Sequence, residues 1–173
     1  LPSSTSILVT GTDSTVTNSG KLVTKGDDSH GIQAQTGTNI QITNSGTIDT
    51  AGSASNGVNS TGVNALITNA GSGIIKTTNT SATAILSTGD GSTAVNNGTI
   101  STTGNAALGI QLIGSGGVSA TNNGSITTSG DFAPGISVSG TNSQAIVNGV
   151  VSTSGDSSYG VNAFGAFVRP HFH

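Results

Sequence analysis

The chain has 173 residues, of which 6% are charged and 3% aromatic, with 27 glycines, no cysteine and a formal net charge of −3. The only bases are Lys21, Lys25, Lys76 and Arg169, too scattered for the clustered basic face that nucleic acid requires, and no run of about eighteen apolar residues is present to span a membrane. Disulfides cannot staple this chain, and a composition dominated by Ser, Thr, Asn and Gly would suit disorder if its aliphatic residues were not held in phase.

Leu1-Pro2-Ser3-Ser4-Thr5 lacks the basic start and long apolar stretch of a signal peptide. Ile7 lies four residues before Gly11, as Val58 lies four before Gly62, and Gly11 lies nine before Gly20, as Gly37 lies nine before Gly46. The chain therefore reads as starting partway through a repeated unit. A marker glycine then recurs at Gly20, Gly46, Gly73, Gly98, Gly124 and Gly149, with spacings of 26, 27, 25, 26 and 25 residues. Asn18-Ser19-Gly20, Asn44-Ser45-Gly46, Asn97-Gly98, Asn123-Gly124 and Asn148-Gly149 repeat nearly the same text, and Gly71-Ser72-Gly73 is the deviant copy. A period of this size signals a solenoid or a related array.

Each copy predicts three short strands and three turns. An aliphatic lies two residues after the marker, at Leu22, Ile48, Ile75, Ile100, Ile126 and Val151, and threonine lies four after it, at Thr24, Thr50, Thr77, Thr102, Thr128 and Thr153. Side chains alternate across a strand, so both columns point inward, with the threonine hydrogen-bonding along its stack. The residues between them, Val23, Asp49, Lys76, Ser101, Thr127 and Ser152, point to water, and Asp49 and Lys76 suit a ladder ion pair. Six residues after the marker comes a turn at Gly26, Gly52, Asn79, Gly104, Gly130 and Gly155, residue types that accept positive φ. A small residue follows at Gly31, Gly57, Ala84, Gly109, Gly135 and Gly160. Beside it runs a second aliphatic column of Ile32, Val58, Ile85, Ile110, Ile136 and Val161. A third turn at Gly37, Gly62, Gly89, Gly114, Gly140 and Gly165 leads to a weaker apolar position at Ile42, Ile67, Ala94 or Val95, Ala120, and Ala145 or Ile146.

No helix fits, because the apolar spacing is two rather than three and four. The expectation is an all-β, right-handed, single-stranded parallel β-helix of about six coils of roughly 26 residues, three short strands to a coil. Its repeat array covers 1–168 as a piece of a longer rod, with 169–173 as a terminal cap or an added remnant.

Ile42-Thr43-Asn44-Ser45-Gly46-Thr47-Ile48-Asp49-Thr50 and Val95-Asn96-Asn97-Gly98-Thr99-Ile100-Ser101-Thr102 resemble the coils of autotransporter passenger domains, the exported parts of Gram-negative type V secretion proteins such as the pertactin-like adhesins. The resemblance covers roughly residues 7–165. It implies a β-helix at the cell surface or outside the cell, carried across the outer membrane by a C-terminal β-barrel, though filamentous haemagglutinin-type adhesins with other export machinery share the pattern.

Chemistry is sparse. Catalysis on a β-helix would need paired carboxylates or acids beside bases on one face. Asp27 and Asp28 are adjacent in a turn, where their side chains diverge. His30 is the one histidine inside the array and takes a variable surface tip shared with Asn56, Thr83, Leu108, Pro134 and Tyr159, so no Ser-His-Asp set is available. Calcium-binding Gly-Gly-x-Gly-x-Asp repeats are missing. His171 and His173 read as a terminal tail rather than a metal site. We therefore expect no enzyme, cofactor or metal, and a partner that is a second copy or a cell-surface protein or glycan. Specificity is expected at the exposed turn tips Ser53–Asn56, Asn105–Leu108, Asp131–Pro134 and Asp156–Tyr159, with Phe132, Pro134 and Tyr159 as a contact patch. The alternatives are a structural stalk displaying another domain and an ice-binding solenoid. The outward pairs Thr47 and Asp49, Ile74 and Lys76, Thr99 and Ser101, Ser125 and Thr127 are too mixed for an ice plane.

Overall fold

The computed structural model describes residues 4–170, with side-chain surroundings through residue 165. In chain order the strands are β1 (Ile7–Thr10), β2 (Thr15–Asn18), β3 (Lys21–Thr24), β4 (Ile32–Gln35), β5 (Gln41–Asn44) and β6 (Thr47–Thr50). The middle of the chain adds β7 (Val58–Ser60), β8 (Leu66–Asn69), β9 (Ile74–Thr77), β10 (Ile85–Ser87), β11 (Thr93–Asn96) and β12 (Thr99–Thr102). Then follow β13 (Ile110–Gly116), β14 (Ser119–Asn122), β15 (Ser125–Thr128), β16 (Ile136–Val147), β17 (Val150–Thr153) and β18 (Val161–Pro170).

From β1 to β13 each strand pairs in parallel with the strand three further along, which is the same strand one coil later: β3 with β6, β6 with β9, β9 with β12, β12 with β15. The register joins repeat position to repeat position, Ile75 to Ile100 and Ile100 to Ile126, with a coil for every period. This is a parallel β-solenoid of three strands to the coil. The stack from β3 to β17 forms a six-stranded sheet, and the other two stacks merge into a twelve-stranded one, because the twelve-residue β16 pairs with β13 through its first part and with β14 through its second. Arg169 and Pro170, placed in a tail by the sequence, continue β18 and align with Ile146 and Val147. Residues 171–173, including His171 and His173, lie outside the described residues.

The aliphatic columns meet on the axis. Ile48, Ile75, Ile100 and Ile126 are fully buried on one side, and Ile32, Ile85, Ile110 and Ile136 on another, with Val58 just behind them. Leu22 and Val151, like Ile7 and Val161, are only partly buried, because a stacking coil covers them on one side alone. The third side carries Ile42, Ile67, Ala94, Ala120 and Ala145. Where it shrinks to Ala120 and Ala145, the larger Leu112 and Val138 stand in another stack of the same sheet, in the positions that Ala34, Ser60 and Ser87 hold earlier. The coil with Ala94 has no such larger residue there. Its Ser87 is fully buried, and its Oγ has no hydrogen-bond partner.

Two sequence expectations are corrected here. The threonine column does point inward, but Thr24, Thr50, Thr77, Thr102 and Thr128 do not bond along the stack; each hydroxyl donates to the carbonyl five residues ahead in its own coil, at 2.6 Å to Ser29 and 2.7 Å to Ser55 and Ala107, so the threonine ties off the turn. The glycines six after the marker are likewise not the left-handed residues. Positive φ falls two residues later, at Asp28, Ala54, Ser81, Ala106, Phe132 and Ser157, all non-glycine with φ between 50° and 57°. What the glycine supplies is room: a Cβ on Gly104 would sit 1.7 Å from the carbonyl oxygen of Asn79, and one on Gly52, Gly130 or Gly155 would sit 1.9 Å from the oxygen one coil earlier. Asn79 alone in this column takes positive φ, at 99°.

Candidate functional site

The surface divides by chemistry. The three ionisable strand residues of the six-stranded sheet, Lys21, Asp49 and Lys76, share its outer face, and Asp49 stands in register with Lys76. In the twelve-stranded sheet the only ionisable residue among the described strand residues is Arg169, and the remaining acids sit in turns, where the short side chains of Asp27, Asp90 and Asp131 cap backbone N–H groups. Asp27 Oδ1 accepts from Ser53 N–H at 2.8 Å, and Asp131 Oδ1 from Asp156 N–H at 2.9 Å. Asp90 takes both the N–H and the hydroxyl of Ser115 at 2.6 Å, and those bonds hold its carboxyl below the usual range. Asp27 and Asp28 are both exposed, and no group of three potential metal-ligating side chains converges among the described residues.

Asparagine makes two rails that the marker text hinted at without resolving. Buried Asn18, Asn44, Asn69, Asn96 and Asn122 stack with each Nδ2 donating to the next Oδ1 at 2.7–2.8 Å, until Val147 ends the run. Each amide also donates to a nearby main-chain carbonyl, as Asn96 does to Gly98 at 3.3 Å, so the corner has its polar groups satisfied. One residue further on, exposed Asn97, Asn123 and Asn148 form a second rail at 2.8 Å. The buried rail was missed because the repeated Asn-Gly pairs drew the alignment to the outer residue, and the inner asparagine of the deviant copy, Asn69, is displaced to four residues before Gly73.

The turn tips are less open than expected. Ser55, Asn56, Ala107, Ala133 and Pro134 are buried, since successive tips lie flat on one another, leaving Asn105, Phe132, Asp156, Ser157 and Tyr159 exposed. The contact patch therefore loses Pro134 and keeps Phe132 at 66% and Tyr159 at 61% exposure. Phe164 is as open at 62%. All five aromatic residues of the chain lie between 132 and 172, and none of the three with described surroundings contributes to the core.

His30 is the clearest correction. It is buried, not a surface tip, because the next coil covers it: the Asn56 N–H donates to Nδ1 at 3.0 Å and the Asn59 side-chain amide lies 3.0 Å from Nε2. Burial holds its pKa below the ordinary value, against the upward pull of the Asp28 carboxylate. The next tip uses the same position in the same way, with Asn56 Oδ1 accepting from Thr83 N–H at 2.9 Å.

Stacked coils, satisfied polar rails and outer sheet faces almost free of charge define a parallel β-helix domain whose exposed surface carries its distinguishing chemistry. The chain belongs to the family of the BigA third pectate lyase-like domain, whose model matches residues 3–168. BigA is a bacterial surface protein of the autotransporter-like kind, so this is a β-helix domain of a bacterial surface-protein family. No curated protein and no solved structure matches the chain.

Proposed function

We propose that this domain is a non-enzymatic adhesion and self-association module in the exported passenger of a Gram-negative autotransporter, displayed at the cell surface. The observation that carries the reading is the placement of aromatics: a chain with five of them leaves Phe132, Tyr159 and Phe164 more than 60% exposed, within neighbouring coils. Exposed aromatics on an otherwise polar surface favour contact with another surface. Long faces of Asn, Thr, Ser and Gln add many weak hydrogen bonds, whose effects sum when two rods lie side by side or a rod lies along a cell-surface protein or glycan. The scatter of the acids supports a role other than catalysis, because no two carboxylates are held facing one another across a cleft.

The competing reading is a stalk that displays another domain. Sedimentation of the purified chain over a concentration series separates the two. A module that self-associates shows a rising weight-average mass, reduced by Phe132→Ser with Tyr159→Ser, whereas a stalk stays monomeric in both forms and does not bind cells.

A further inference from the structure

Successive turn tips are tied together at the residue two before the second aliphatic column, whose carbonyl accepts an N–H from the coil before it, and in one coil the side chain at that position can change charge. Nδ1 of His30 accepts the Asn56 N–H, so the proton of the neutral ring belongs on Nε2; Asn59 Nδ2 lies 3.0 Å from Nε2, and since two donors cannot face each other, a half-turn of that amide brings its oxygen round to accept the Nε2 proton. The backbone on either side is also engaged, with Ser6 N–H donating to the His30 carbonyl at 3.1 Å and Gly31 N–H to the Asn56 carbonyl at 3.0 Å. A protonated ring has two donors and no acceptor. It cannot keep the Asn56 amide, and turning it outward breaks the packing of the tip.

We propose that His30 is an acid-sensitive latch between its own turn tip and the next: neutral, it binds the Asn56 tip; protonated, it releases Asn56 and opens that junction while the central coils remain stacked. The ionisable residues of its own turn are Lys25, Asp27 and Asp28, and Asp28 is the one whose charge opposes the effect. The described segments stacked on either side, Ser4–Ser6 and Ser55–Asn59, contain no ionisable side chain. The sign follows from the depressed pKa. The opened form binds the proton more readily, so the latch is complete above the ordinary histidine value of 6.5 and fails as pH falls through the lower value of the closed form.

The test is amide hydrogen exchange of the full chain between pH 7.5 and 5, corrected for intrinsic rates, in the natural protein and in His30→Asn. Asparagine keeps a side-chain acceptor, as Asn56 does for Thr83. The latch predicts that opening at Asn56 rises by up to about tenfold for each pH unit below 6.5 in the natural protein, stays flat in His30→Asn, and is unchanged at Thr83 in both. An equal slope in the two proteins, or a flat one in the natural chain, overturns it. The ring nitrogen shifts of the natural protein give a reading that does not depend on the variant folding: at pH 7.5 the proton must be on Nε2, and finding it on Nδ1 also overturns the proposal.

Discussion

Leu22 and Ile100 occupy the same repeat position in strands of the same length, yet Ile100 is fully buried and Leu22 only partly so. Strand β12 has β9 on one side and β15 on the other, whereas β3 pairs only with β6. Burial in this molecule is thus conferred by the neighbouring coil rather than by the residue, and stability is a sum of coil-to-coil contacts with no single centre. The same contrast holds for the polar rail. Asn44, Asn69 and Asn96 are bonded to an asparagine above and below, while Asn18 has a partner on one side only.

The sharpest way to break the comparison is a charge in the middle. Ile100→Asp places a carboxylate among aliphatics with no partner and should cost upward of about 4 kcal/mol, losing the β spectrum of the central coils, whereas Ser101→Asp, one residue along and facing out, should stay within about 0.5 kcal/mol. Truncation grades the effect by position: in urea titrations followed by circular dichroism, Ile100→Ala should cost about 2–5 kcal/mol and Leu22→Ala about half as much. On the rails, Asn96→Ala leaves the buried Asn69 and Asn122 amides short of a partner and should cost about 1–3 kcal/mol, with little change for the exposed Asn123→Ala. The smallest effect has the opposite sign. Ser87→Ala removes the buried hydroxyl without a partner and should raise stability by about 1 kcal/mol.

The fold was legible because its main rule, one coil to a period, prints directly in the sequence: Ile48, Ile75, Ile100 and Ile126 fall in phase and pair in that phase. What stayed hidden were effects of contact between coils. Glycine text such as Gly104 and Gly130 suggests backbone freedom, but the cause is a carbonyl oxygen one coil away that leaves no space for a Cβ. The left-handed position falls instead on residues as different as Asp28, Ala54 and Phe132, so composition offered no signal for it. His30 and Pro134 looked like surface because their column varies, and it varies because each tip packs on a different neighbour. The exposed pair Phe132 and Tyr159 stands out in the turn text, while nothing in the repeat marks Phe164, which is as open as they are.

The central claim is that each strand pairs with its equivalents one period before and after, and contacts between backbone protons measured by nuclear magnetic resonance test it most directly. The account predicts that Thr99–Thr102 shows parallel contacts to Ile74–Thr77 and to Ser125–Thr128, with Ser101 opposite both Lys76 and Thr127. Antiparallel contacts from Thr99–Thr102 to its sequence neighbour Thr93–Asn96, as in a flat meander, would contradict it.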